Sequence, residues 1–227
     1  GIDELMTVSW DSVALALGEF VGNDPAEVIS WLNHATQYFA DNYPNVEVSV
    51  QVHVGNYPGL WVDYQGQETF FYHLAGETDP RLASSVHTVF FFDLYRDWGT
   101  YKHDNFFFQR EYLFRELPER RVEYFPESAY WIAGDVDVPQ FLPNYVYARW
   151  LDVSSLTREA AERGLPPLDG HIVFSSGHEW NYWLTDYLTA RMAWMPSASF
   201  EETLGHYGSA FGPCGREISD ALEGLVA

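Results

Sequence analysis

The sequence predicts an α/β fold in which parallel strands alternate with helices, and three observations predict it. Segment 46–54, Val-Glu-Val-Ser-Val-Gln-Val-His-Val, places a valine at every second position, the pattern of a strand with one buried face. Segment 86–92 is a short apolar run that ends at Asp93, and 121–125, Arg-Val-Glu-Tyr-Phe, reads as another strand, ending at Pro126-Glu127. Longer stretches with helical spacing separate and follow them. Strand and helix in turn argue for βαβ units and a parallel sheet.

The elements follow in chain order. Leu5 to Trp10 reads as a weak first strand. Asp24-Pro25-Ala26-Glu27 opens the clearest helix, with Asp24 as cap, Pro25 in the first turn and Glu27 at the capping-box position. Val28, Trp31, Leu32, Ala35, Tyr38 and Phe39 then recur at helical spacing until Asn42-Tyr-Pro44. In the strand 46–54, Glu47, Ser49, Gln51 and His53 share the face opposite the valines. Val86 to Phe92 reads as a strand buried on both sides. A helix is expected over Asn105–Leu117 and a strand over Arg121–Phe125. Phe141–Arg163 is helical, with a break expected near Asp152-Val-Ser-Ser155, and Gly164 and Pro166-Pro167 close it. His171–Ser175 is a strand and Ser176–Glu179 the turn after it. A helix begins near Trp180, with Trp183, Leu184, Tyr187, Leu188 and Arg191 on its face. The capping-box pattern Ser199-Phe-Glu-Glu202 announces the last helix.

Four or five such units are visible in 227 residues, whereas a full eight-unit barrel takes about 250. The expected architecture is a single α/β catalytic-type domain over 1–227, a (β/α) TIM-like barrel that is compact, incomplete or part of a larger chain, or else an open sheet. The opening Gly-Ile-Asp reads as a processed end or a cut from a longer polypeptide.

Composition narrows the function classes. Hydrophobic residues make up 47% and aromatics 18%, which excludes global disorder and suits ring-stacking clefts as well as core packing. The formal charge of -21 repels nucleic acid and anionic membranes and suits a neutral or cationic substrate, divalent cations or a salty medium. No apolar run approaches the roughly 20 residues of a membrane span. The lone Cys214 forms no intrachain disulfide and lies in a loop-like stretch, Phe211–Gly215, without a catalytic cysteine signature. The acidic, cysteine-poor composition points to an extracellular or periplasmic location.

In parallel α/β folds the loops after the strands converge on one face, so the site forms at the carboxyl ends of the strands. Those loops carry His53, Asn56, Asp93, Tyr95, Arg96, Glu127, Tyr130, Trp131, His178, Glu179 and Trp180. Glu127, after an apolar strand and beside aromatics, should have a raised pKa if desolvated, as a general acid needs. Glu179 follows the next strand, and two such carboxylates could face one cleft, the arrangement glycoside hydrolysis requires. Asp135 and Asp137 share one side of an extended segment, suited to a cation, to sugar hydroxyls or to a catalytic role. His53, His87 and His178 with Asp93 or Glu179 raise a metal option, though no local ligand spacing is present. There is no phosphate loop and no Gly-x-Ser-x-Gly elbow.

Tyr124–Trp131 and Ser175–Trp183 resemble strand ends of (β/α)-barrel glycoside hydrolases. The resemblance implies hydrolysis of a glycosidic bond, with Glu127 as acid/base and Glu179 as nucleophile or base, or the reverse, supported by Asp135 and Asp137. It implies ring platforms at Tyr130, Trp131, Trp180 and Trp183, and substrate contacts at His53, Asn56, Asp93, Tyr95, Arg96 and His178. The expected partner is an oligo- or polysaccharide, with no cofactor, no nucleic acid and no membrane span, and with additional domains or a homo-oligomer as options. The alternatives are a metal-dependent hydrolase on the same scaffold and a non-catalytic glycan-binding or scaffold domain.

Overall fold

The structure, a computed structural model, describes residues 4–8, 12–17, 24–55, 59–97, 105–127, 143–173 and 179–226; of 4–8, 105 and 179–182 it describes the backbone alone. Its strands are β1 (Glu4–Val8), β2 (Ser12–Ala16), β3 (Glu47–Val52), β4 (Trp61–Tyr64), β5 (Gln67–Phe70), β6 (Ala83–Thr88), β7 (Val122–Pro126) and β8 (Gly170–His171). Its helices are α1 (Pro25–Asn42), α2 (Asn105–Glu116), α3 (Pro143–Glu162), α4 (Glu179–Trp194), α5 (Phe200–Gly208) and α6 (Gly215–Val226), with 3-10 turns at Phe71–Glu77 and Ser209–Cys214.

The main sheet has the strand order β1-β2-β3-β6-β7-β8. Five of its strands are parallel and alternate with helices, as expected. Val13 lies opposite Val48 and Val50 opposite Ser84, so the apolar positions of β2 and β3 share one register. β1 runs antiparallel to β2 at one edge, where a first parallel unit was expected. The described strands form a linear order with β1 and β8 at its ends. β4 and β5 make a separate antiparallel hairpin. Its turn residues Gln65 and Gly66 have φ of 55° and 79°, the two positive values of a tight hairpin turn. The Asp63 carboxylate accepts the Gly66 N–H at 3.0 Å. The sequence reading passed over this hairpin because Gln-Gly is a weaker turn signal than Asn-Gly.

The chain divides into two compact units, Gly1–His87 with Trp98–Tyr124, and Thr88–Asp97 with Phe125–Ala227. In the first, α1 starts as its sequence dictates: Asp24 Oδ1 accepts the Ala26 N–H at 2.9 Å and Pro25 needs no N–H partner. Its buried stripe is Val28, Leu32 and Thr36, while Tyr38 is exposed and packs edge-on against Phe39. β3 buries Val48, Val50 and Val52, and Val54 continues the stripe past the strand.

All six residues of β6 are buried, but the strand begins at Ala83 and ends at Thr88, not at 86–92. Two serines are accommodated inside because their hydroxyls find partners: Ser84 meets Tyr112 Oη at 2.9 Å, and Ser85 donates to Glu123 at 3.1 Å. Apolar patterning does not register such residues as core.

The second unit is built on a helical core of Val146, Val153, Leu184, Leu188, Met192, Leu204, Tyr207 and Leu222. α3 runs unbroken through Asp152–Ser155, against the expected break. Asp152 is fully buried on the helix's inner face, where its carboxylate accepts the Leu94 N–H at 2.7 Å instead of competing for its own backbone. The capping box of α5 forms: Ser199 Oγ accepts the Glu202 N–H at 3.1 Å, and Glu202 accepts that of Ser199 at 2.8 Å. α5 is not the last helix. The stretch around Cys214 is a 3-10 turn that leads into α6. Here Gly208 and Gly215 approach so closely that a Cβ on either would lie 2.3 Å from the other's carbonyl oxygen. Small side chains, not glycine's dihedral freedom, allow this corner.

In the first unit, Arg120 closes the end of α2 over the loop 76–82. Its guanidinium pairs with Glu116 at 2.8 Å and donates to the carbonyls of Gly76 at 2.8 Å, Thr78 at 3.1 Å and Leu82 at 3.1 Å. Arg120→Met strips a donor from the carbonyls of Gly76, Thr78, Asp79 and Leu82 and leaves Glu116 with only the half-exposed Arg115. We expect it to cost about 3–5 kcal/mol in urea unfolding; a loss below about 1 kcal/mol would mean that the clamp is dispensable.

Candidate active site

The site is organised where β6 and β7 end side by side. The Glu127 N–H donates to the Thr88 carbonyl at 2.9 Å, extending the pairing one residue past β7. The chain beyond Thr88 then leaves the sheet, and Phe90 adopts φ 55°, an uncommon conformation for a bulky side chain. That twist turns the Phe90 N–H onto Glu127 Oε2 at 2.6 Å. Glu127 Oε1 takes no hydrogen bond among the described residues. The side chain is buried, with 5% of the residue exposed.

Burial pushes the Glu127 carboxyl up from 4.5 to about 7, against the Phe90 N–H and the Arg149 charge, which both favour the ionised form. A carboxyl poised at neutral pH both gives and takes a proton readily, the property of a general acid or base.

Arg149 of α3 supports this arrangement. It is fully buried. Nη1 donates to the Glu127 carbonyl at 2.6 Å and Nη2 to the Phe92 carbonyl at 2.5 Å. Asp152, one helical turn on, stands 3.3 Å from Nη2 and balances the charge. Its other oxygen fixes the Leu94 N–H. The loop that presents Phe90 is thus tied to α3 at Phe92 and Leu94. His171 of β8 is kept neutral: burial foremost, and the Arg149 charge after it, lower its pKa to about 3.

The sequence reading singled out Glu127 but missed Arg149, Asp152 and His171 as a group. A signal was present. Tyr145, Arg149, Asp152 and Leu156 recur at helical spacing, which sets a charged pair on an otherwise apolar stripe.

The other expected residues of this unit are distributed as follows. Asp93 is fully buried, and its oxygens accept from Tyr95 N–H at 2.9 Å, Arg96 N–H at 2.8 Å and Arg96 Nε at 2.6 Å. It shapes its own loop. The Tyr95 hydroxyl donates to Glu159 at 3.0 Å, and the Arg96 guanidinium lies 5.4 Å from the Tyr147 ring centre. Trp183, on α4, is 42% exposed, with its ring 5.3 Å from Tyr207 and 5.9 Å from Phe211. Glu179 and Trp180 begin α4, but their side chains lie outside what is described, as do Tyr130, Trp131, Asp135, Asp137 and His178 altogether. Two open cavities, of about 750 and 500 Å³, lie by α5–α6 and by α3 with the 196–199 segment, and neither is lined by an expected site residue.

In the first unit, the ends of β3 and β6 carry a histidine cluster. His53 is half-buried and stacks on His87 at 4.7 Å, and its Nδ1 meets the Val54 carbonyl. Gln109, fully buried, donates to the carbonyls of Val52 at 2.8 Å, His53 at 3.1 Å and His87 at 3.0 Å. Those three acceptors fix the amide's orientation, so its oxygen accepts from His73 Nε2 at 2.8 Å. His73 is therefore a neutral Nε2–H tautomer, its pKa lowered to about 4 chiefly by burial. Among the described residues no group of three metal-ligating side chains is assembled. Asn56 lies outside them.

No family model, no curated protein and no solved structure matches the chain.

The raised Glu127 pKa carries a stability consequence of definite sign. Between pH 4.5 and about 7 the folded state holds a proton that the unfolded state has released. The contribution is fully present below the unfolded value and is lost as pH rises through about 7. The two lowered histidines act oppositely, losing stability as pH falls below 6.5 towards about 4 for His73 and about 3 for His171. Subtracting wild type from Glu127→Gln removes the histidines from the comparison. We expect the variant's relative stability to rise by on the order of 3 kcal/mol from pH 4.5 to pH 9 in urea titrations. A difference independent of pH would show that Glu127 ionises as an ordinary carboxylate.

Proposed function

We propose that this chain is a carbohydrate-active hydrolase that cleaves a glycosidic bond, with Glu127 as the general acid. One observation carries the proposal: a buried carboxyl, protonated up to about pH 7, sits at the carboxyl end of a parallel strand with one oxygen held by a backbone N–H. In glycosidic cleavage the acid protonates the leaving oxygen while a second carboxylate attacks the anomeric carbon or activates water. Glu179, the first residue of α4, is the proposed partner, with Asp135 and Asp137 in support.

In this reading the parallel sheet is a (β/α)-barrel or a portion of one. The exposed face of Trp183, backed by Tyr207 and Phe211, serves as a ring platform. Tyr130, Trp131 and Trp180 would add to it, and Tyr95, Arg96 and His178 would supply further substrate contacts, while Asp93, buried and bonded within its own loop, holds Arg96 in place. A polymer substrate would place the protein outside the cytoplasm.

The test is hydrolysis of a broad panel of oligo- and polysaccharides by wild type, Glu127→Gln and Glu179→Gln, each with and without chelator. We expect cleavage indifferent to chelator, a fall in kcat of about a hundredfold or more in each variant, and wild-type activity that declines as pH rises through about 7. Chelator-sensitive cleavage would transfer the chemistry to a metal. Glycan binding without turnover, unchanged by Glu127→Gln, would make the domain a binding module.

A further inference from the structure

The chain contains eleven arginines and one lysine against 33 acidic residues. Ten of the arginines already stand within 4.0 Å of a carboxylate: Arg81, Arg96, Arg110, Arg115, Arg120, Arg121, Arg149, Arg158, Arg163 and Arg216. The protein's own cations are therefore nearly all committed, while the acidic residues outnumber them by 33 to 12. Exposed acids such as Glu27, Glu68, Glu201, Glu217 and Glu223 stand in no ion pair among the described residues.

Local geometry makes this unfavourable in dilute buffer. On α6, Glu217, Asp220 and Glu223 recur every third residue, so they form one negative stripe, answered among the described residues by a long contact of 4.0 Å from Arg216 to Asp220. Like charges at this spacing lie about 5–6 Å apart and destabilise a helix. The screening length is about 10 Å at 0.1 M salt and about 3 Å at 1 M. At ordinary ionic strength these neighbours still repel, and relief continues up to molar salt.

We infer that the folded state of this protein depends on a concentrated monovalent-cation solution to neutralise its surface carboxylates, so that the chain is built for a saline medium. The cations act as a diffuse layer over the whole acidic surface and not through a discrete site. Screening requires only ionic strength, so potassium and sodium are interchangeable. Compact ion pairs such as Arg120–Glu116 are shielded from it by burial.

Thermal unfolding of the full chain is measured in KCl and in NaCl from 0.02 to 1 M, for wild type and for a triple variant Glu68→Gln, Glu119→Gln, Glu223→Gln. These three exposed side chains lie apart from the candidate site and outside the first turn of any described helix, where the helix dipole would favour a carboxylate. We expect the wild-type Tm to climb by about 5 °C or more across the series, equally for the two salts. The triple variant should melt higher than wild type at 0.02 M and converge with it at 1 M. A flat wild-type curve, or a variant with the wild-type slope, would overturn the inference. A rise with one cation only would overturn diffuse screening in favour of a specific site.

Discussion

A parallel sheet ends in main-chain carbonyls that its own ladder no longer pairs, and burial makes each of them costly until a donor arrives. Arg149 answers this where β7 ends. Its two terminal nitrogens donate to the carbonyls of Glu127 and Phe92, its guanidinium is fully buried, and Asp152 balances the charge that this brings in. Buried carbonyls are gathered in the same way twice more in the other unit, at the ends of β3 and β6 and in the loop that precedes β6. Gln109 gathers the carbonyls of Val52, His53 and His87, and Arg120 gathers those of Gly76, Thr78 and Leu82. In each case one multi-donor side chain from a helix or its end fixes the conformation of segments that the sheet alone would leave undetermined.

This also explains why Glu127 is preorganised. The carboxyl does not search for its partner, because the loop carrying Phe90 is anchored at Phe92 and Leu94 by residues of α3. The positive φ of Phe90 costs of order 1 kcal/mol or more, and the Thr88 carbonyl, held by the Glu127 N–H before it, and the anchors at Phe92 and Leu94 after it keep it there. Arg149 is electrostatically the natural means of ionising Glu127, yet its Nη1 and Nη2 donate to carbonyls and Asp152 lies 3.3 Å away. A guanidinium so occupied attracts the carboxylate weakly, and desolvation prevails.

What could be read from the sequence follows from what sequence patterns report. Valine alternation fixes β3, the Asp24-Pro25 start fixes α1 and the Ser199–Glu202 box fixes the start of α5, because each signal is local and its chemistry is completed within a few residues. Glu127 was legible for the same reason: a carboxylate after an apolar run has few ways to remain solvated. β6 was displaced because Ser84, Ser85 and Thr88 are buried through partners that are 28 or 38 residues away for the serines, and no local pattern announces those. The break expected at 152–155 failed likewise, since the group that satisfies Asp152 lies 58 residues earlier in the chain. Arg149 and Gln109 read as ordinary polar positions on amphipathic helices until the carbonyls they serve are known.

The two electrostatic features of this protein have different origins, and ionic strength separates them. The exposed carboxylates repel one another across solvent, an interaction that salt screens within a few ångströms. Glu127 is shifted mainly because it has left solvent, and dissolved ions do not restore its hydration. Concentrated salt therefore relieves the surface without returning the buried carboxyl to the ordinary carboxylate range. The protonation of Glu127 near neutral pH is thus set by its burial and not by the charges spread over the acidic surface.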